Sequence, residues 1–440
     1  MHRINRTFPI VLLLLLAAIL APATATYAQD ATPTPVPEEE VELTTVSAQV
    51  ELSNQLGNSI ISARGNHFII GSAPPLGHPY EEIAPVEAML GALATCGLFV
   101  YEAAAAEMNI ALTSAQAAVQ ADWDARGLTG AADVSPGMQE YRVHFDLEGP
   151  DADQAEMLAA QFMTRCPIYT TLAKTAPINI TTNEEEMAGP VAEGLVTSTV
   201  VATLTNQPGR AIFSARDHFL AVDSPALLGG PNLDINPLDL LLGAQISCGA
   251  HIMESAATAN GIPFRSVHAT VEADFDPQGM SDGSVDPAIQ AMRVQWEIDT
   301  QTPEEAQFFV DQWLARCPIY ATLSKAMEIE VSHKLMGQGT ALLNIVFAYD
   351  VPTSELQAEL APLAEQFAAS DGLLWMLWAV DEAKSRFSSQ LLFAEMADVD
   401  AFLESEPATI LMEHPALSEF TVATYTIMAA ESEVTRGPIR

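Results

Sequence analysis

Basic residues are scarce in this chain: 18 Lys and Arg stand against 57 Asp and Glu in 440 residues, a formal net charge of −39. A surface that acidic repels phosphate backbones and anionic lipid headgroups, which argues against nucleic acid as a partner and against polybasic membrane docking. Cysteine is scarcer still. The chain holds four, too few for a scaffold built on disulfides. No Cys-x-x-Cys or His-x-x-x-His spacing occurs, so a zinc site has little support. Charged residues make up only 17%, against 49% hydrophobic, which supplies folded cores and excludes a disordered chain. The length corresponds to about three domains of roughly 150 residues.

The N-terminus reads as an address. His2, Arg3 and Arg6 precede an uncharged run from Phe8 to Ala21, and small residues follow at Thr26 and Ala28. This pattern predicts a secretory signal peptide over 1–28, cut after Ala28, with an uncut membrane anchor as the alternative. The apolar run is short for a span, which needs about 20 residues. Residues 29–42 form a Pro- and Glu-rich spacer.

The body contains a repeat. Ser62-Ala63-Arg64 recurs as Ser214-Ala215-Arg216, His67-Phe68 as His218-Phe219, and Pro85-Val86-Glu87 as Pro237-Leu238-Asp239. Cys96-Gly97 recurs as Cys248-Gly249, and Arg165-Cys166-Pro167-Ile168-Tyr169 as Arg316-Cys317-Pro318-Ile319-Tyr320. The offset is 151 or 152, far longer than the period of a solenoid, so this is a duplicated domain. The copies are placed at 43–182 and 192–334, with a linker at 183–191.

Each copy opens with alternating segments that suit strands, at Thr45–Leu52 and Val196–Leu204, and continues through a Pro/Gly loop. A long apolar helix follows. Residues 88–101 and 240–253 are each 14 uncharged positions, short for a membrane span and suited to a buried helix. Strands are expected at Ser114–Trp123 and Glu140–Leu147, with counterparts at Ser266–Phe275 and Ala291–Ile298. Acidic helix starts at Asp151–Glu156 and Thr302–Glu305 lead to the Cys-Pro pairs.

The cysteines carry the chemistry. Cys96 and Cys248 lie mid-helix. Cys166 and Cys317 precede a proline, which is favoured at the first position of a helix. That puts them at helix N-caps, where free N–H groups and the dipole stabilise a thiolate. Inert core thiols and structural disulfides are the alternatives. Four cysteines allow three pairings, and the repeat argues for 96–166 and 248–317. His67 and His218, near strands, read as hydrogen-bonded structural residues rather than ligands, and Trp123, Trp296 and Trp313 as packing.

Each copy resembles the OsmC/Ohr superfamily. The resemblance rests on the Arg-and-His-Phe segment, the Pro/Gly loop, the Pro-x-acid helix running to Cys96 or Cys248, and the Cys-Pro some 70 residues on. It implies an α+β fold in which two protomers wrap sheets around two central helices, so the copies here would form one pseudo-dimer within a single chain. A fused partner is always present at high effective concentration. The peroxidase branch reduces hydroperoxides: the mid-helix Cys becomes a sulfenic acid, the Cys-Pro Cys condenses with it, and an external thiol reduces the disulfide. The resemblance thus implies peroxidatic Cys96 and Cys248, resolving Cys166 and Cys317, and Arg64 and Arg216 as the loop Arg, with no metal or other cofactor. One position departs. The branch has Glu directly after the helix-opening Pro, whereas here Val86 and Leu238 follow it and the acids, Glu87 and Asp239, come one residue later. That shift rotates a side chain by about 100°. Glu87 and Asp239 are then solvent-facing or helix-start acids that favour the dipole, or catalytic acids.

Beyond about Gly339 the repeat stops. Strands are expected at Ala341–Tyr349, Leu373–Val380, Ser389–Glu395 and Phe420–Met428, with helices at Thr353–Ala369 and from Asp398 to Glu404. The βαββαβ order is ferredoxin-like. Phe347-Ala-Tyr, Leu360-Ala-Pro-Leu-Ala-Glu, Asp371 to Trp378 and Ala401-Phe-Leu-Glu404 resemble the YdhR-type monooxygenases of the dimeric α+β barrel group, over 339–432. The resemblance implies a domain that dimerises the protein. Trp375 and Trp378 read as core and interface packing. The expected function is a secreted, thiol-dependent hydroperoxide reductase with a C-terminal dimerisation or accessory domain. The alternatives are a non-enzymatic binding or scaffold protein with structural disulfides, and oxygenase or haem-binding activity in the C-terminal domain.

Overall fold

The structure, a computed structural model, describes residues 43–336, 339–435 and 439. The expected signal peptide over 1–28 and spacer over 29–42 lie outside the described residues.

The first copy runs β1 (Thr44–Leu52), β2 (Asn58–Ala63), β3 (Asn66–Gly71), α1 (Pro85–Glu107), β4 (Ser114–Trp123), α2 (Ala125–Thr129), β5 (Glu140–Glu148), α3 (Ala152–Arg165), α4 (Pro167–Leu172) and β6 (Ile178–Thr182). The second repeats the order with β7 (Val196–Leu204), β8 (Arg210–Ala215), β9 (His218–Asp223), α5 (Pro237–Asn260), β10 (Ser266–Phe275), α6 (Pro277–Asp282), β11 (Ala291–Asp299), α7 (Pro303–Arg316), α8 (Pro318–Leu323) and β12 (Glu328–Leu335).

The copies do not fold side by side. Each lends its N-terminal strands to the other's sheet. One six-stranded sheet has the order β12-β11-β10-β1-β2-β3 and the other β6-β5-β4-β7-β8-β9. The seams are antiparallel, with Thr44 opposite Phe275 in one and Trp123 opposite Val196 in the other. Alternation fixes the register: Ala48 and Val50 of β1 and Val267, Ala269, Val271 and Ala273 of β10 point inward, and a slip of one residue would turn the whole set to solvent. α1 and α5 pack on each other between the sheets. Matched hydrogen bonds tie the copies together. Glu254 on α5 accepts from Gly57 N–H at 3.0 Å, and Glu102 on α1 accepts from Gly209 N–H at 2.9 Å. Thr322 Oγ1 accepts from Met138 N–H and Thr171 Oγ1 from Ile289 N–H, both at 2.9 Å. This is the expected pseudo-dimer within one chain.

The central helices are longer than the uncharged runs suggest, 23 residues in α1 and 24 in α5. α1 is long and apolar enough to cross a membrane, yet 89% of its most apolar window is buried inside the protein. Glu87, Glu102 and Glu107 extend it beyond the uncharged stretch because each finds a partner: Ala84 N–H, Gly209 N–H and Arg165.

The C-terminal domain comprises β13 (Ala341–Tyr349), α9 (Thr353–Ala368), β14 (Leu373–Asp381), β15 (Arg386–Phe393), α10 (Met396–Leu403), α11 (Glu406–Met412), β16 (Leu417–Thr426) and α12 (Ala429–Val434). Its antiparallel sheet, β14-β15-β13-β16, has the ferredoxin-like order. One face packs on Leu356, Leu360, Leu363 and Phe367 of α9 and on Val399, Phe402 and Leu411 of α10 and α11. The other leaves Leu377 and Tyr425 about half exposed. β15 begins three residues earlier than the apolar pattern suggests, because Arg386 and Phe387 already pair with β13. α11 was not legible as a separate helix: Ser405 caps it by accepting from Ala408 N–H, one residue past the expected end of its predecessor.

Candidate active site

Each central helix opens on a proline at its first position, and the acid two residues later turns back to accept from the N-cap backbone. Glu87 Oε2 accepts from Ala84 N–H at 2.8 Å, and Asp239 Oδ2 from Asn236 N–H at 2.8 Å. These acids are therefore not solvent-facing, as one reading of their shifted position had it: Glu87 is 4% exposed and Asp239 1%. Capping pulls each side chain back toward the backbone, and an arginine covers it.

That arginine comes from the other copy. Arg216 donates from Nε to Glu87 Oε1 at 2.8 Å and from Nη2 to Glu87 Oε2 at 2.9 Å. Arg64 donates from Nε and Nη2 to Asp239 Oδ2 at 3.1 and 2.6 Å. Both arginines sit at positive φ, 55° and 51°, in the turns between β8 and β9 and between β2 and β3. The left-handed turn aims the side chain off the sheet toward the opposing helix start. Loop carbonyls hold each fork: Tyr80 and Glu82 for Arg216, Asn232 and Asp234 for Arg64. Tyr80 adds a layer that copy two lacks, since Asn232 stands at the matching place. Its hydroxyl donates to Glu87 Oε1 at 2.7 Å, and Arg216 lies 3.5 Å over its ring. Burial and the Glu87 bond push the Tyr80 hydroxyl up to about 12.

The sulfurs lie in the core. Cys96 and Cys166 form a disulfide with Cα atoms 6.1 Å apart. Cys248 and Cys317 are thiols, and Cys317 Sγ donates to Cys248 Sγ at 2.8 Å. Cys166 and Cys317 are N-caps of α4 and α8, each sulfur accepting from a backbone N–H three residues on at 3.3 Å. Burial, followed by the neighbouring Cys317, pushes the Cys248 thiol well up, while the charge of Arg316 pulls the other way. Arg316 is held by neutral acceptors, Leu128 O at 2.8 Å and Gln312 Oε1 at 3.2 Å, so its charge is left to act on the thiol. Its counterpart Arg165 is paired with Glu107 at 2.7 Å.

The two halves of the site converge around Cys248. A cavity of about 50 Å³ is lined by Tyr80 and Glu87 of copy one together with Cys248, His251 and Pro318 of copy two, and by Trp123. Glu87, held by Arg216, therefore shares a cavity with a cysteine carried by the same copy as the arginine, across the seam from the acid. Trp123 lines this cavity as well as packing, and its Nε1–H donates to Ser198 Oγ at 3.0 Å. Trp296 and Trp313 pack edge to face at 5.0 Å. His67 bonds Ser62 Oγ at 2.8 Å at the surface.

Reading the sequence missed His251, His78 and Tyr80. The signal lay in the repeat: these positions are Phe99, Gly230 and Asn232 in the other copy. His251 is fully buried with neither ring nitrogen hydrogen-bonded among the described residues. Burial, with His78 beside it at 6.5 Å between ring centroids, lowers its pKa to about 3. Among the described residues no group of His, Cys, Asp or Glu is arranged to hold a metal ion. In the C-terminal domain a cavity of about 230 Å³ lies between α9 and β14, lined by Leu356, Leu360, Trp378 and Phe387.

A duplicated α+β shell with a cysteine pair in each half, bridged by arginine–carboxylate pairs that cross the seam, defines a tandem thiol protein. Its family follows from comparison with known proteins. The model of the OsmC-like protein family matches residues 78–181 and 230–332, and the family described as "Putative mono-oxygenase ydhR" matches 342–438. The chain carries two OsmC-like domains in tandem followed by a YdhR-type domain. Among solved structures it is similar to an OsmC-like protein from Mycoplasma pneumoniae, at 20% identity over 31% of this chain and 95% of that one, with a TM-score of 0.27. It is also similar to SnoaB, a cofactor-independent oxygenase from Streptomyces nogalater (mutant N63A), at 16% identity over 20% of this chain and 94% of that one, with a TM-score of 0.18. Protein SO0527 from Shewanella oneidensis is 19% identical over 20% of this chain and 92% of that one, with a TM-score of 0.19. No curated protein matches the chain.

Proposed function

We propose that the tandem OsmC-like domains form a thiol-dependent reductase of organic hydroperoxides and peroxides that works outside the cytoplasm. The observation that carries this reading is the meeting of a mid-helix and a Cys-Pro cysteine in both copies, joined in one and 2.8 Å apart as thiols in the other. Cys96 and Cys248 would attack the peroxide oxygen. Cys166 and Cys317 would condense with the resulting sulfenic acids, expelling water, and an external thiol would return the disulfides to thiols. Arg216 with Glu87, and Arg64 with Asp239, would hold the charge that develops on sulfur and oxygen. A buried disulfide is compatible with an oxidising compartment. The C-terminal domain serves as a dimerisation or accessory module, its half-exposed Leu377 and Tyr425 marking the face that a second copy would cover.

The test is thiol titration with intact-mass analysis of DTT-reduced, desalted protein before and after a small excess of cumene hydroperoxide. Loss of two thiols per repeat within seconds, reversed by DTT and abolished in Cys96→Ser/Cys248→Ser, supports the reductase. Thiols that oxidise no faster than in unfolded protein sink it. A second reading has its own support. Cys166 is fully buried and Cys96 only 4% exposed, as suits a structural crosslink in a binding or scaffold protein. The apolar cavity beside Trp378 keeps a third reading open, an oxygenase or haem-binding activity. A Soret band in the purified protein is the observation that would favour its haem version.

A further inference from the structure

Copy two places an imidazole where copy one has a phenyl ring. His251 follows Cys248 by three residues on α5, and Phe99 follows Cys96 by three on α1. That spacing sets the two side chains on one face of the helix, and Cys248 and His251 line the same cavity. Phe99 is 1% exposed, so the fold packs this position with a wholly apolar ring. Burying an imidazole with both nitrogens unpartnered works against folding unless something else uses them. The ring is held neutral, and a neutral imidazole offers one N–H donor and one acceptor nitrogen. The cavity has room for a few water-sized groups, enough for the –O–O–H head of a hydroperoxide.

We propose that His251 is a catalytic residue of the Cys248 site, a neutral proton relay that contacts the hydroperoxide while Cys248 attacks it. The inference rests on the reductase reading. Cys248 Sγ bonds to the terminal oxygen of the hydroperoxide and the O–O bond breaks. Sulfur gives up two electrons, and the peroxide takes them as the leaving alkoxide. The acceptor nitrogen of the ring takes the thiol proton and passes it to that alkoxide as the O–O bond breaks. The products are a sulfenic acid and an alcohol, and the ring ends neutral, as it began. Such a relay suits a thiol that stays protonated, as burial keeps Cys248. Tyr80, Glu87 and Cys248 line the cavity with the ring, and His78 lies beside it; behind them, Glu254 pairs with His78, Arg216 with Glu87, and Cys317 and Arg316 act on Cys248. Copy one, with Phe99, has no such relay, so the two sites divide into a fast and a slow one.

The experiment follows the Cys248 peptide by mass in the full chain, reduced with DTT and desalted, during a single turnover with cumene hydroperoxide and, in parallel, with iodoacetamide. His251→Phe, which installs the ring copy one already accommodates, and His251→Asn are compared with the wild type. The expected result is a peroxide rate at least about 100-fold lower in both variants, a much smaller fall in alkylation, whose iodide leaving group needs no proton, and a melting temperature for His251→Phe at least as high as the wild type's. A peroxide rate retained within threefold overturns the assignment, as does a fall in alkylation equal to the fall in peroxide rate, which would leave no proton delivery to the alkoxide. A wild-type thiol that alkylates but ignores peroxide overturns the reductase reading, and this relay with it.

Discussion

Arg216 and Glu87 meet across the two repeats, Nε to Oε1 at 2.8 Å and Nη2 to Oε2 at 2.9 Å, beside a cysteine that belongs to the second repeat alone. The fork takes both oxygens of a carboxylate whose side chain is 6% exposed, while the arginine itself is 28% exposed. Neither copy can assemble this arrangement by itself, which gives the duplication a physical role.

Arg216→Met should leave the Glu87 carboxylate buried without its counter-charge. Breaking a buried pair costs about 3–5 kcal/mol, and the partial exposure of Arg216 reduces this to roughly 2–3 kcal/mol. Glu87→Gln in the same chain should recover part of the loss, because the amide oxygen still accepts from Ala84 N–H and no charge is stranded. Urea unfolding of the single and double variants checks it. Additive losses would mean that the two residues do not act as a pair.

Acid should destabilise the protein through His251. Its folded pKa is near 3 against an ordinary 6.5, so between those values the unfolded chain binds a proton that the native one refuses. Stability is full above about pH 6.5 and falls as pH drops toward 3, by on the order of a few kcal/mol. His251→Phe removes this slope. Urea midpoints of the wild type and the variant, compared at pH 7 and pH 4.5, should differ far more at the lower pH.

How much of this was legible in the sequence depends on the kind of information each feature needs. The repeat, the mid-helix cysteines and the Cys-Pro caps are local patterns, and the structure places Cys166 and Cys317 at helix N-caps as the following proline predicts. The exchange of β1–β3 for β7–β9 is non-local. Nothing along the chain says that Thr44 faces Phe275, and so nothing says that Arg64 answers Asp239 while Arg216 answers Glu87. The depth of Glu87 was hidden for the same reason. A one-residue offset argues for an exposed acid on an isolated helix, but the cover comes from a distant turn. His251 was legible only as a mismatch between the copies.

Close helix–sheet approach should make Gly249 intolerant of a side chain. A Cβ there would lie 2.6 Å from two atoms of the Trp296 ring, and at the matching Gly97 it would lie 2.8 Å from Phe145 Cζ. Gly249→Ala should cost about 1–3 kcal/mol by overpacking. Trp296→Phe, which copies the first repeat, should recover part of that loss in the double variant. Thermal melts of the four proteins decide whether the clash sets the cost.

The two cysteine pairs should differ in how reducing agents act on stability. Cys96 and Cys166 close a sequence separation of 70, and such a crosslink stabilises by about 4 kcal/mol in the chain-entropy account. DTT should therefore lower the melting temperature by roughly 10 °C. Cys96→Ser/Cys166→Ser should melt at that lower temperature with or without DTT. Cys248→Ser/Cys317→Ser should keep the full response, because that pair stands as thiols. Oxidation by diamide brings the second pair together over a separation of 69 and should raise the melting temperature by a similar amount. If DTT moves neither the wild type nor the Cys248→Ser/Cys317→Ser protein, the first pair contributes no crosslink, and the copies are redox equivalents rather than one bolted and one open half.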